Sequence, residues 1–309
     1  MTKPDQRTRS DARQRAAAAR AAELARARRK RQWLTGAMAL VVIAAVVGIG
    51  LAAKSSNQSS NTAATFAVPK GAVADPYVDA KTHTGKATAI EYGSPDAKVT
   101  VSVFEDVRCP YCDIFELGAR GVYKQYADAG EVRVLFHVVK LIDENDQGAG
   151  ENASGSRAGG SALACAQNAG LFDAYHDVLY DDQPVETTDP WSDPSALITL
   201  AKKVPGLDTP TFESCVKNTT YGGFVDQNWS DFNALHIDAT PTVQIDGTAL
   251  TTAQLFSAAS KSGVTANTAE DGQGANVAGI QSALQAAVGK AYPGGAPAPW
   301  TAASAQPSS

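Results

Sequence analysis

Two cysteines held apart by Pro110 and Tyr111 are the residues of this 309-residue chain best suited to chemistry. The stretch Cys109-Pro110-Tyr111-Cys112 follows an apolar run ending at Phe104 and opens a segment with helical spacing. The first amides of a helix lack intrahelical partners and sit at the positive end of its dipole. A thiol placed there ionises below its free value of about 8.5. Cys112, one turn on, is near enough to close a disulfide but is shielded within the helix. Cys109 is then the sulfur that attacks or is attacked, and Cys112 the one that resolves the mixed disulfide. Pro110 suits the first helical turn, where a missing N–H is no loss. The rival chemistry is half of a zinc site. Its other ligands would come from Cys165, Cys215 and the histidines at 83, 137, 176 and 236, yet none of these forms a second CxxC or a His pair at finger-like spacing. A redox pair with neither metal nor cofactor is the expectation.

The elements around this pair follow from periodicity. Thr88–Tyr92 and Val99–Phe104 read as strands, Pro110 to Ala129 as a helix stopped by Gly130, and Val132–Val139 as a second central strand. A strand–helix–strand unit calls for a right-handed crossover and a parallel pair. A polar, Gly-rich break spans Asp143 to Gly160, followed by short helical stretches at Ser161–Ala169, Phe172–Tyr180, Ser195–Val204 and Thr211–Asn218. Such a block is too long for a loop and reads as an inserted helical subdomain, about 143–238. Thr242–Ile245 returns to strand, Asp246-Gly247 signals a turn, and Ala253–Ser260 and Val277–Val288 read as closing helices. Ala239-Thr240-Pro241-Thr242 leads into that last strand. The plain reading is a strand-leading proline; the sharper one is a cis Thr240–Pro241 bond set against the CxxC.

Glu91-Tyr92-Gly93-Ser94-Pro95-Asp96-Ala97, then Phe104-Glu105-Asp106-Val107-Arg108-Cys109-Pro110-Tyr111-Cys112 with Phe115-Glu116, then Ala239-Thr240-Pro241-Thr242 and Asp246-Gly247, resemble the DsbA-like family of thioredoxin-fold oxidoreductases, membrane-anchored actinobacterial type. The resemblance spans about residues 75–290. It implies an α/β thioredoxin fold with a helical insertion, a redox-active Cys109–Cys112 pair, a cis-Pro241 loop with Thr240 beside it, and thiol–disulfide exchange with exported proteins. It also implies a membrane partner of the quinone-linked kind that reoxidises the pair. Three positions depart from the wider pattern. Val103 stands where many relatives carry a buried acid, and Asp106 matches the acid of this subgroup instead. His236 replaces a Gly common among relatives, and reads as a partly exposed structural residue. Tyr111 stands where the strongest oxidases have His and adds no positive charge, which places the potential near about −200 to −230 mV.

Cys165 and Cys215 both fall in the inserted block. Two buried reduced thiols are one reading; in an exported domain with an even cysteine count, a Cys165–Cys215 disulfide is the favoured one. Charge and hydropathy place the whole. Residues 1–32 carry 11 of the 27 basic and three of the 32 acidic residues, leaving 16 against 29 from Lys54 onward. An acidic globular part excludes nucleic acid as a partner. Trp33–Ala53 is 21 residues without a charge, long enough for one transmembrane helix. The basic residues ahead of it keep the N-terminus cytoplasmic and send the remainder across; a cleaved signal peptide is the alternative. The expected organisation is a basic arm (1–32), a signal anchor (33–53), a linker (54–74), the catalytic domain (75–290) and a tail without fixed structure (291–309). The expected function is an extracytoplasmic oxidase for exported polypeptides with free thiols. The rival readings are a reductase or isomerase on the same fold, and a membrane-tethered binding module that does no catalysis.

Overall fold

The computed structural model describes residues 66–82, 85–86, 88–144, 154–258, 273–295 and 297. The basic arm, the apolar run Trp33–Ala53 and all but a few residues of the tail lie outside the described residues, and so do the readings made of them. Among the described residues no helix is long and apolar enough to cross a membrane.

Five strands make the central sheet: β1 (Ile90–Gly93), β2 (Val99–Glu105), β3 (Val132–Val138), β4 (Thr242–Ile245) and β5 (Thr248–Ala249). They lie in the order β1-β3-β2-β4-β5. β2 and β3 are parallel, with Val99 opposite Val132 and Glu105 opposite Val138. The helix α2 (Pro110–Asp128) makes the crossover between them. β1 pairs antiparallel with β3 rather than with β2, its neighbour in sequence, and β4 pairs antiparallel with β2. This is the thioredoxin arrangement expected above.

All seven residues of β2 are buried, because both faces of the sheet are covered. Val99, Val101 and Val103 pack with Phe115, Ala119 and Tyr123 of α2 and with Ile280 and Leu284 of α10 (Val277–Ala291). Each of the Val, Leu, Ile and Phe side chains contributes about 1.5–3 kcal/mol by leaving water. Phe104 points to the other face and joins Val78 of α1 (Pro76–Thr82) and Phe232 of α8 (Gly222–Ala234). On that face Ser102, Asp75, His137 and Asn228 form one buried network: the Ser102 hydroxyl donates to Asp75, whose Oδ2 lies 3.0 Å from His137 Nε2, and His137 Nδ1 lies 3.3 Å from Asn228 Oδ1. Phe66 and Ala72 pack on the core and Val73 bridges to Ala89, so the chain joins the domain near residue 66 and the last part of the predicted linker belongs to it.

The insertion between β3 and β4 holds α3 (Leu141–Glu144), α4 (Gly155–Asn168), α5 (Phe172–Asp181), a 3₁₀ turn at Pro190–Ser192, α6 (Pro194–Ala201), α7 (Pro210–Lys217) and α8. Two sequence expectations are corrected here. α4 starts at Gly155 rather than Ser161. Its glycines are contact points, not breaks: a Cβ on Gly159 would come within 2.7 Å of Val107 Cγ2, and one on Gly160 within 2.9 Å of Val138 and Val225. α8 was not foreseen: Gly222, Gly223, Asn228 and Asp231 are weak helix formers. Its burial of Phe224, Val225 and Phe232 outweighs that weak propensity. Beyond β4, Asp246 and Gly247 take φ of 49° and 76°, the left-handed pair of a two-residue hairpin turn. The helix expected over Ala253–Ser260 shortens to α9 (Thr252–Leu255), and β6 (Phe256–Ala258) pairs instead with β7 (Gln273–Ala275).

Candidate active site

Cys109 is the N-cap of α2, in extended conformation, with Pro110 in the first turn. Its thiol and that of Cys112 are free and buried, 4% and 0% exposed. Ile142 and Tyr180 complete a small apolar cluster with them, against which Tyr111 packs. The Tyr111 ring also meets Phe256 edge-on, centroids 5.6 Å apart. The Thr240–Pro241 bond is cis, and the Thr240 carbonyl oxygen accepts the Cys109 thiol at 3.3 Å. Two motifs 131 residues apart therefore meet at one sulfur.

The two sulfurs are electrostatically unlike. Hydrogen bonding from the Cys112 thiol holds Cys109 below the ordinary thiol value, against the effect of burial and with help from the Cys112 backbone N–H. Burial drives Cys112 well up, and its bond to Cys109 adds to this. The sequence pointed to the helix amides as the main cause at Cys109; in the structure the partner thiol leads.

Asp106 is fully buried. Its backbone N–H donates to Cys112 Sγ at 3.5 Å, while its carboxylate accepts from the N–H groups of Arg108 and Ile142, each at 2.8 Å. Burial raises this carboxyl to about 7, although those two bonds oppose it.

Several residues at the site escaped the sequence reading. Arg108 is wholly buried and pairs with Asp143 at 2.9 Å and Asp189 at 3.4 Å. Its guanidinium also donates to the carbonyls of Glu186 and Thr188. The same two aspartates accept the open amides at the head of α4, Asp143 from Ser156 and Arg157, Asp189 from Ser154 and Gly155. Glu105, Glu116 and His176 form a second buried group within electrostatic reach of Tyr180. Burial raises Glu116 to about 8. His176 stands at about 10 because, against its own burial, the Glu105 carboxylate 2.9 Å away favours the imidazolium. One signal was available for Glu116: it lies one helical turn after Cys112, on the face that Cys112 buries.

Ligand atoms of Glu105, Glu116 and His176 lie within 4.8 Å of one another, the set among the described residues that could hold a metal. The imidazolium already supplies a cation there, and a metal would have to displace its proton. The zinc candidates weighed with the CxxC are dispersed. Cys165 of α4 and Cys215 of α7 are joined by a disulfide. His137 belongs to the Asp75 network. His236 is exposed with φ of 56°, a conformation that suits Gly, and His83 lies outside the described residues.

A family model described as thioredoxin matches residues 85–262. Disulfide bond formation protein D of Bacillus subtilis (strain 168) is 29% identical over 160 residues, covering 50% of this chain and 66% of that protein. The probable disulfide bond formation protein D of Bacillus anthracis is 25% identical over 157 residues, covering 50% and 68%. The matched stretch thus spans about two thirds of the relatives' own length. Among solved structures, the reduced form of the disulfide bond oxidoreductase DsbG from Mycobacterium tuberculosis superposes with a TM-score of 0.50 at 22% identity, over 72% of this chain and 94% of that one.

Proposed function

Because the chain belongs to the thioredoxin family, in its DsbA-like branch of thiol–disulfide oxidoreductases, we propose that it works as an oxidase outside the cytoplasmic membrane, placing disulfides in exported polypeptides. The observation that carries this reading is the contrast between two sulfurs on one helical turn. Cys109, at the helix head with the Cys112 thiol donating to it, is the better thiolate; Cys112, sealed behind it, is the better thiol.

The reaction follows from that contrast. It starts from the Cys109–Cys112 disulfide. A substrate thiolate attacks Cys109 Sγ, a substrate–Cys109 bond forms, and the bond to Cys112 breaks with its electron pair leaving on Cys112. The raised Cys112 sulfur takes up a proton and becomes a neutral thiol. A second substrate thiolate then attacks the substrate sulfur of the mixed disulfide. Cys109 departs as a stabilised thiolate, so the substrate has lost two electrons and the enzyme has gained them. A membrane partner, quinone-linked as the resemblance implies, accepts those electrons and restores the disulfide.

The supports for an outward location are the apolar run Trp33–Ala53, the basic residues ahead of it and the Cys165–Cys215 bridge, which belongs to an oxidising compartment. Cys109→Ser is expected to abolish oxidation of a reduced model polypeptide by the preoxidised full chain. Retained activity would leave a binding role as the better reading. Equilibration with glutathione fixes the direction: a potential near about −200 to −230 mV agrees with the oxidase, whereas one near about −270 mV would make the chain a reductase.

A further inference from the structure

The loop that follows α5 reaches back to the redox pair through one side chain. Gln183 is buried, 8% exposed, and its Nε2 donates to the Val107 carbonyl at 2.9 Å and to the Cys109 carbonyl at 3.0 Å. Those carbonyls flank Arg108. The Cys109 carbonyl also accepts the Asp113 N–H at 3.1 Å, the bond that opens α2. The same loop accepts the Arg108 guanidinium on the carbonyls of Glu186 and Thr188. The insertion therefore grips consecutive residues 107, 108 and 109 of the segment that carries the attacking sulfur.

We propose that Gln183 is a positioning residue of the exchange reaction, its amide fixing the carbonyls of Val107 and Cys109 so that the Cys109 sulfur is held at the head of α2 beneath Thr240. The inference rests on the oxidoreductase reading and adds a device to it. An N-cap residue has an extended backbone whose rotation swings its side chain relative to the first helical N–H groups. Fixing the carbonyls on both sides of Arg108 removes that freedom. Two hydrogen bonds from one neutral amide do this without placing a charge beside the thiolate, whose titratable neighbours Cys112 and Asp106 are left as they are. With the grip lost, the thiolate strays from its donors, the reduced form is destabilised and the pair holds its disulfide more firmly.

The test is the glutathione equilibrium of the full chain, with Gln183→Met and Gln183→Glu beside the native protein. Met keeps the reach and volume of the side chain and removes both donors; Glu keeps the shape and turns the donor into an acceptor. Both are expected to shift the equilibrium about three- to tenfold toward the disulfide. Alkylation of Cys109 below its pKa is expected to slow by a similar factor. If either variant melts at a lower temperature yet keeps the native equilibrium and alkylation rate, Gln183 is structural only and the proposal is overturned. Should Met not fold, Gln183→Leu is measured in its place, since Glu also brings a carboxylate toward the thiolate. Failure of the native chain to oxidise any thiol polypeptide would instead remove the underlying reading, since the equilibrium of the Cys109–Cys112 pair is measured without a substrate.

Discussion

Glu116 keeps a carboxyl in the core of α2, one turn behind Cys112, with the Tyr123 hydroxyl donating to it. Burial raises it to about 8, so from the usual carboxyl range up to that value the folded chain retains a proton that the unfolded chain has released. Stability must then fall as pH climbs through that window. Asp106, raised to about 7 by burial, acts in the same sense. His176, held at about 10, contributes stability that is complete below the ordinary histidine value and lost as pH rises through 10. Thermal denaturation of the native protein between pH 5 and pH 8 is therefore expected to show a declining Tm, and Glu116→Gln is expected to flatten it. An equally steep decline in the variant would assign the effect elsewhere. Cys112→Ser, with no resolving sulfur, is expected to accumulate a mixed disulfide when offered a polypeptide in its disulfide form: Cys109 attacks that bond, one polypeptide sulfur leaves as thiolate, and the product survives on a non-reducing gel. The meeting of Cys109 and Cys112 with Thr240 and the cis Pro241 was legible because each motif is written in adjacent residue types. Arg108 and Gln183 were not, since the partners of their side chains lie from 35 to 81 residues away along the chain (Asp143 and Asp189 for Arg108).

The grip on Arg108 belongs to the scale of elements, since it ties the segment before α2 to the head of α4 and to the loop after α5. Removing the guanidinium leaves Asp143 and Asp189 facing each other without a cation. Arg108→Met is expected to cost about 3–5 kcal/mol in urea unfolding, the penalty of an uncompensated buried charge. Asp143→Asn combined with it should recover part of that loss. The Cys165–Cys215 bridge joins α4 to α7, 50 residues apart in sequence. Replacing both cysteines with serine is expected to lower stability by about 2–5 kcal/mol while leaving the Cys109–Cys112 potential at its native value. Elements with strong periodicity, such as β2, α2 and β3, could be read from the sequence almost to the residue. α8 and the start of α4 could not. Their glycines and polar residues are helical only because neighbouring elements supply contacts, and a one-dimensional pattern does not hold that information.

At the scale of the whole chain, charge and hydropathy separate the basic arm and apolar run from an acidic domain. Fractionation of cells expressing the full chain is expected to place it in the membrane pellet, with Cys109 labelled by a thiol reagent that does not enter cells. Deletion of residues 1–53 is expected to release a soluble protein with unchanged exchange activity. A full chain recovered only from the soluble cytosol would remove the anchor. The Asp75 network gives such a tether a mechanical meaning. Tension on the chain ahead of Phe66 would be met first by the packing of Phe66 and the bonds of Lys70 to Gln167 and Asn168 of α4, then by the Val73–Ala89 bridge and the bonds of Asp75 to Ser102 and His137. The Asp75 network lies on the face of β2 opposite the one that packs on α2. A pull on that chain would be borne by the C-terminal end of α4, the edge of the sheet and its back before it reached the reacting sulfur at the head of α2.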